Sequence, residues 1–296
     1  MATPGLVLID KPTSWTSHDV VAKVRKAVGT KKVGHAGTLD PLATGLLVLG
    51  IESGTKLLTF LVGADKTYEA TIRLGQQTVS DDSESEVTKS ASSDKVANIS
   101  DSDILREIAK LTGVIMQTPS SVSAIKVDGK KAYDLVRAGE QVELKAREVK
   151  IYSFETLSVA RVAGFLDVEV RVECSSGTYI RALARDLGAA LGVGGHITAL
   201  RRTKVGHFDV ASANSIDELD KLRLTELAQA AKQLFPVIEL DDSEVTDLIH
   251  GKRISGKPEL VGLAAGVSIS GKLVAVLESV KSDLKSVVVF QGEKND

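Results

Sequence analysis

The chain has 296 residues, 43% hydrophobic and 26% charged, with a net charge of −2, enough apolar content for one large core or two unequal ones and too much for a disordered chain. No apolar run approaches the roughly 20 residues that a membrane-spanning helix needs. The single cysteine, Cys174, excludes a disulfide framework and a cysteine-based zinc site, so a reduced, cytoplasmic setting is expected.

In chain order, Leu6 to Ile9 is a short apolar run leading into Asp10-Lys11-Pro12. It reads as a buried strand, since a signal peptide carries a charged leader and a longer apolar stretch. Thr16 or Ser17 can cap a helix running to about Val28, with Val20, Val21 and Val24 inward. Leu46 to Leu49 suits a buried strand, and Tyr68, Ala70, Ile72 and Leu74 alternate as a strand does. Residues 77–102 turn to Ser, Asp, Glu and Thr, which predicts an exposed, flexible insertion. Ile104 to Leu111 looks helical, and Ile125-Lys126-Val127 meets a tight-turn signal at Asp128-Gly129. Leu166, Val168, Val170 and Val172 alternate with Asp167, Glu169, Arg171 and Glu173 as a half-buried strand. Ile180, Leu183, Ala184, Leu187 and Leu191 then fall at the spacings of a helix stripe. After Leu234-Phe235-Pro236 the pattern changes to short Val-rich strands such as Leu273 to Leu277, placing a domain boundary near 234–240. Strands with intervening helices, lacking strict βαβ alternation, predict an α+β fold with a small β-rich appendix.

Charge is unevenly distributed. Between Lys11 and His35 six cations face one anion, and Arg201-Arg202 with Lys204 forms a second basic run. Many of the acids sit between Asp81 and Asp103. Such segregation suits a phosphate-binding face, although either cluster alone also fits a solvated surface.

The densest chemical signal is Gly34-His35-Ala36-Gly37-Thr38-Leu39-Asp40-Pro41-Leu42-Ala43-Thr44-Gly45. Three glycines and a proline constrain the backbone around one carboxylate, as in a loop that fixes a side chain or admits a ligand. A plain loop with Asp40 as a helix cap fits the spacing equally well. Other motif-bearing chemistries fail. Gly29 and Gly34 are spaced as in a P-loop, but His35-Ala36 follows instead of Lys-Ser or Lys-Thr. A zinc deaminase needs cysteines that the chain lacks, and no Gly-x-Ser-x-Gly elbow is present.

Gly34 to Gly50 (GHAGTLDPLATGLLVLG) resembles the signature segment of TruB-type tRNA pseudouridine synthases. Lys11-Pro12 with Thr13 to Ser17, Lys66-Thr67-Tyr68, Ser123 to Tyr133, Gly177-Thr178-Tyr179-Ile180-Arg181 and His196 to Thr203 resemble further blocks of that family, in family order. Two stretches depart from it. Val79 and Ser85 stand where the family usually has an acidic residue and a glycine, and Gln117 to Val122 lacks a second proline and an aromatic.

The resemblance implies a pseudouridine synthase catalytic fold over 1–237, with a mixed, largely antiparallel central sheet and flanking helices, and a PUA-like RNA-binding domain over 238–296. It implies isomerisation of uridine 55 in the T loop of tRNA, with possible help to tRNA folding. The C1′–N1 bond is cleaved and the base re-attached through C5, with no cofactor and no metal. Asp40 is implied as the essential carboxylate, acting as nucleophile at C1′ or as base at C2′. Arg181 is its partner, since an adjacent guanidinium favours a charged carboxylate. Tyr68 stacks on the flipped base and is the candidate for C5 proton transfer; by default it is a core residue. His35 is the wedge that opens the RNA. Tyr179 lies in a matching motif, and Leu200 forms an apolar wall, although leucine is core by default. Arg201 and Arg202 are implied as RNA contacts, and Lys11 either touches RNA or holds its loop. A monomer acting on the tRNA T arm, with no membrane partner, is expected. The rivals are a non-catalytic tRNA-binding protein and a glycosidase. The first has no need of a carboxylate at a phosphate-rich interface, and the second lacks an acid paired with Asp40.

Overall fold

The computed structural model describes residues 2–122, 126–127, 130–131, 144–256 and 260–290. Its centre is an eleven-stranded mixed sheet. Strand β1 (Gly5–Lys11) pairs antiparallel with β3 (Thr44–Ile51), from Gly5 opposite Ile51 to Lys11 opposite Gly45, and β2 (Val33–Ala36) pairs β3 on its other register. Leu6, Val7, Ile9 and Leu46 to Leu49 are fully buried, which is why their runs are continuous rather than alternating. Strand β4 (Lys66–Leu74) alternates buried and half-buried residues throughout. A hairpin of β5 (Gln76–Thr78) and β6 (Val87–Ser90) follows, then β7 (Gly113–Gln117), β8 (Arg147–Val162), β9 (Phe165–Cys174) and β10 (Gly195–Val205). The path across the sheet is β1, β3, β10, β4, β9, β8, β7. Beyond β1 a two-residue strand, Asn214–Ser215, pairs in parallel with Ile9 and Asp10. The pairs along the path are antiparallel except between β3 and β10, which meet in parallel over Arg201 with Thr44 and Arg202 with Gly45 only. At this narrow joint the sheet opens, and the Asp40 loop lies beside it.

The helices seal the sheet. Helix α1 (Ser17–Val28) starts from a Thr16–Asp19 capping box and buries Val20, Val21 and Val24. Shorter helices are α2 (Leu58–Val62) and α3 (Ser93–Ala97), followed by α4 (Asp101–Lys110). Helix α5 (Ile180–Ala190) buries Ile180, Leu183, Ala184 and Leu187. Helices α6 (Leu227–Leu234) and α7 (Asp242–Ile249) lead into a second sheet. Its main strands are β11 (Val237–Leu240), β12 (Leu263–Ser268), β13 (Leu273–Val280) and β14 (Asp283–Val289). This sheet packs on the first: Ala265, Val267, Leu273, Val276 and Phe290 share one apolar cluster with Leu6, Leu8, Leu46 and Leu57. Among the described residues no helix is long and apolar enough to cross a membrane.

The fold is α+β with a mixed, largely antiparallel sheet, as expected. The segment 77–102 departs from its expectation at its start and in having regular structure. It holds the β5–β6 hairpin and the Ser-capped helix α3, and it buries Thr78, Ser80, Asp81 and Asp82. Those first polar residues serve internal pairing, while most of the segment is exposed as expected, Glu86 to Ser90 included. Of the Ser123 to Tyr133 block, the backbone pairing of Lys126–Val127 with Lys130–Lys131 is described; the turn expected at Asp128-Gly129 lies outside the described residues.

Candidate active site

Asp40 sits on the loop between β2 and β3, not at a helix start, and four anchors hold that loop. Ser17 Oγ accepts from the Leu39 N–H at 2.9 Å and donates to the Leu39 carbonyl at 3.2 Å. Arg202 Nη2 donates to the Gly37 carbonyl at 3.0 Å. Lys11 Nζ reaches the Pro41 carbonyl at 3.3 Å, and the Ser14 N–H donates to the same oxygen at 2.9 Å. Gly45 ends the loop at φ 98°, where an added Cβ would stand 2.2 Å from the Arg202 carbonyl oxygen. Only glycine lets β10 come this close.

The carboxylate is 41% exposed and pairs with Arg181, whose Nε lies 3.0 Å from Asp40 Oδ2. Arg181 is buried in the first turn of α5, and its other nitrogens are tied down behind the pair. Nη1 donates to the Ser80 carbonyl at 2.7 Å and lies 3.5 Å from Asp82 Oδ2; Nη2 donates to the Val122 carbonyl at 2.9 Å. One turn on, Arg185 meets Asp81 at 3.2 Å, and Ser120 Oγ donates to Asp81 at 2.7 Å. Burial pushes the Asp81 carboxyl up, against the Ser120 hydrogen bond and the Arg185 charge. A second acid, Asp82, shares the Arg181 guanidinium, but not in a setting comparable to that of Asp40. It is 3% exposed and does not line the cavity.

Asp40 and Arg181 open on a cavity of about 370 Å³ that Tyr68, Tyr179 and Leu200 also line. Arg202 lines it too, so the structure gathers six of the expected site residues. Tyr68 comes from β4, opposite Arg202; burial holds the phenol above its ordinary range while the Arg202 charge opposes that. Tyr179 caps α5, and the Gln117 side chain clamps its backbone on both sides, accepting from its N–H at 2.8 Å and donating to its carbonyl at 3.1 Å. The Arg147 guanidinium covers the Tyr179 ring at 5.0 Å.

Of the other expected contacts, His35, Lys11 and Arg201 lie outside the cavity wall, and Arg202 reaches it from a buried position. His35 is half-buried on β2, edge-on to His18 at 5.8 Å, and is not part of the cavity wall. Burial, then the His18 charge, lowers its pKa, so it favours the neutral ring. Lys11 is fully buried, donating to the Pro12 and Trp15 carbonyls at 2.9 and 2.6 Å, and so holds its loop. The basic run on β10 divides because neighbours on a strand point to opposite faces. Arg201 forms a forked pair with Asp10 at 2.7 and 3.0 Å, half-exposed. Arg202 is 1% exposed and bonded to the Leu46 and Gly37 carbonyls, so it is an internal brace rather than a surface phosphate contact. Sequence reasoning missed Asp82, Ser80, Ser120, Arg147 and Gln117 as partners. The pairing of Asp82, Ser80 and Ser120 depends on the β5–β6 region folding against α5, and that of Gln117 and Arg147 on β7 and β8 reaching Tyr179, which composition does not announce.

Residues 25–180 match the N-terminal domain of the TruB family of pseudouridylate synthases, and residues 181–242 match the tRNA pseudouridylate synthase B C-terminal domain. Residues 235–291 match the tRNA pseudouridine synthase II C-terminal domain. Solved structures share the fold. The H/ACA ribonucleoprotein bound to a substrate RNA containing 2′-deoxyuridine superposes with TM-score 0.71 at 24% identity, over 98% of this chain and 86% of that one. A Cbf5-Nop10-Gar1 complex does so with TM-score 0.68 at 25% identity, over 97% and 83%. The fold class is that of the pseudouridine synthases. Among curated proteins, the tRNA pseudouridine synthase B of Paenarthrobacter aurescens (strain TC1) is 52% identical, over 97% of this chain and 94% of that protein. The protein of the same name from Leifsonia xyli subsp. xyli is 51% identical over 99% of both. The chain belongs to the TruB family.

Proposed function

We propose that the chain is a tRNA pseudouridine synthase that isomerises uridine 55 of the T loop, acting as a cytoplasmic monomer without cofactor or metal. The observation that carries the reading is the Asp40–Arg181 pair at 3.0 Å on the wall of a cavity shared with Tyr68 and Leu200. Cleavage of the C1′–N1 bond leaves C1′ electron-poor, and a carboxylate fixed beside it stabilises that change or bonds to C1′ outright. A flipped uracil fits between the Tyr68 ring and Leu200, stacked on one and walled by the other. Arg181 keeps Asp40 oriented, since its fork is held from behind by Ser80, Asp82 and Val122. Tyr68 is the family's candidate for the C5 proton transfer after the base has turned, releasing its own phenol proton as it receives that one. The assignments of His35, Tyr179 and Arg201 to the RNA rest on the family motifs. Residues 1–237 form the catalytic domain and 238–296 a PUA-like domain that grips the acceptor side of the tRNA.

The reading is tested with an unmodified tRNA transcript carrying tritium at uridine C5. The protein is expected to release one equivalent of tritium and to leave pseudouridine at position 55 alone. No release sinks the isomerase reading, and release with modification elsewhere sinks the assignment of the site.

A further inference from the structure

Three buried cations surround the Asp40 loop without a carboxylate partner of their own among the described residues. Lys11, Lys66 and Arg202 are 0%, 7% and 1% exposed. Lys66 Nζ donates to the Val62 and Ala64 carbonyls at 2.8 and 2.6 Å, and Arg202 to the Leu46 and Gly37 carbonyls at 2.8 and 3.0 Å. Carbonyl dipoles soften a buried charge but do not cancel it, and an uncompensated buried cation is costly to keep. Neutral side chains could bond the same carbonyls. The charge therefore has a use that bracing the loop does not explain.

Lys66 and Arg202, unlike Lys11, line the cavity that holds Asp40 and Tyr68. An ammonium has three N–H donors, and two of those on Lys66 are occupied. We propose that Lys66 and Arg202 stabilise the uracil anion formed when the C1′–N1 bond of the target uridine breaks. The inference rests on the isomerase reading. In that step the bonding electron pair leaves with N1 and spreads onto O2 and O4 of the base. C1′ becomes electron-poor and is met by the Asp40 carboxylate. When C5 later bonds to C1′ the pair returns to form that bond, the C5 proton departs, and N1 takes up a proton. One site thus develops opposite charges on its two fragments, and it supplies one group of each sign: Asp40 towards the sugar, the buried cations towards the base. The field costs no reorganisation at the moment of cleavage because the cations are fixed beforehand. The Arg202 charge is felt at Lys66, whose pKa is lowered to about 8 by burial first and Arg202 next, so Lys66 keeps its proton at neutral pH.

The test uses the full chain with T-arm RNA under single turnover, reading rearranged nucleoside after digestion. Lys66→Gln keeps a donor for the carbonyls but removes the charge, and Lys66→Arg keeps the charge. The Gln variant is expected to cleave about 100-fold more slowly at unchanged RNA affinity, with most of the rate restored in the Arg variant. A target 5-fluorouridine, whose fluorine stabilises the departing base anion, is expected to shrink the gap between wild type and Lys66→Gln severalfold; a structural defect leaves that gap unchanged. Equal rates for wild type and Lys66→Gln, equal losses in both variants, or a gap that 5-fluorouridine leaves untouched would overturn the proposal. Should Lys66→Gln not fold, Arg202→Gln carries the same leaving-group comparison. Wild-type protein inert on both substrates refutes the isomerase reading instead.

Discussion

Arg181 spreads one planar fork over five partners, with Nε on Asp40 and the two Nη groups on Ser80, Asp82, Ser120 and Val122. A lysine has one nitrogen at the end of a flexible stem and cannot face Asp40 while holding the others. Arg181→Lys is therefore expected to fold but to lose about 100-fold in single-turnover rate, with tRNA affinity little changed. Gly45→Ala acts on stability instead. Its φ of 98° and the 2.2 Å approach to the Arg202 carbonyl force β3 and β10 apart, and a loss of roughly 2–4 kcal/mol in urea unfolding is expected. Lys11 and Lys66 also set a pH dependence. Both have folded pKa values of about 8, well below the ordinary 10.5, chiefly through burial. The unfolded chain then binds more protons than the folded one between those values, so their contribution makes stability rise from about pH 8 to about 10.5. In Lys66→Met the slope of unfolding free energy against pH in that window is expected to flatten. Asp40 was legible as a special residue because glycines and a proline punctuate its surroundings. Lys11 and Arg202 were not legible as braces, since a cation looks the same in sequence whether it meets phosphate or an internal carbonyl.

The catalytic loop owes its shape to elements on either side of it. Helix α1 contributes Ser17, whose hydroxyl satisfies both backbone groups of Leu39. Ser17→Ala leaves a buried N–H and C=O unpaired next to Asp40, and a loss of about 1–3 kcal/mol in urea unfolding is expected. Because Leu39 precedes the carboxylate, the same variant should also lower the rate at saturating tRNA. Helix α1 and strands β3, β4 and β9 were readable from capping residues and apolar periodicity, which are local signals. Strand β8 (Arg147–Val162) was not, because its later residues are mostly exposed and lack a clean alternation. The 77–102 segment misled for the opposite reason. Asp81 and Asp82 look like solvated acids until Arg181 and Arg185, a hundred residues later, fold over them.

At the scale of the molecule, the sheet is joined through two parallel residue pairs between β3 and β10, and the site lies at that joint. Motions that open the joint act directly on Gly45, Arg202 and the Asp40 loop. The C-terminal sheet adds its own constraint, since Ala265, Val267, Leu273, Val276 and Phe290 complete an apolar cluster with Leu6, Leu8 and Leu46. A chain ending at residue 236 exposes that cluster and is expected to melt at a clearly lower temperature, or to aggregate, beyond any loss of tRNA affinity; melting as the full chain does would show the two sheets to be independent. The boundary expected near 234–240 was visible as a change of pattern, but the shared core was not, because periodicity says which face is apolar and not what covers it. The central claim is that Asp40 performs the chemistry while other groups hold the RNA. Its most direct test compares wild type and Asp40→Asn for tritium release from C5-labelled tRNA alongside tRNA affinity by gel shift. Asp40→Asn is expected to bind tRNA within about threefold of wild type and to release tritium at least about a thousandfold more slowly. Release at a rate near wild type would contradict the account.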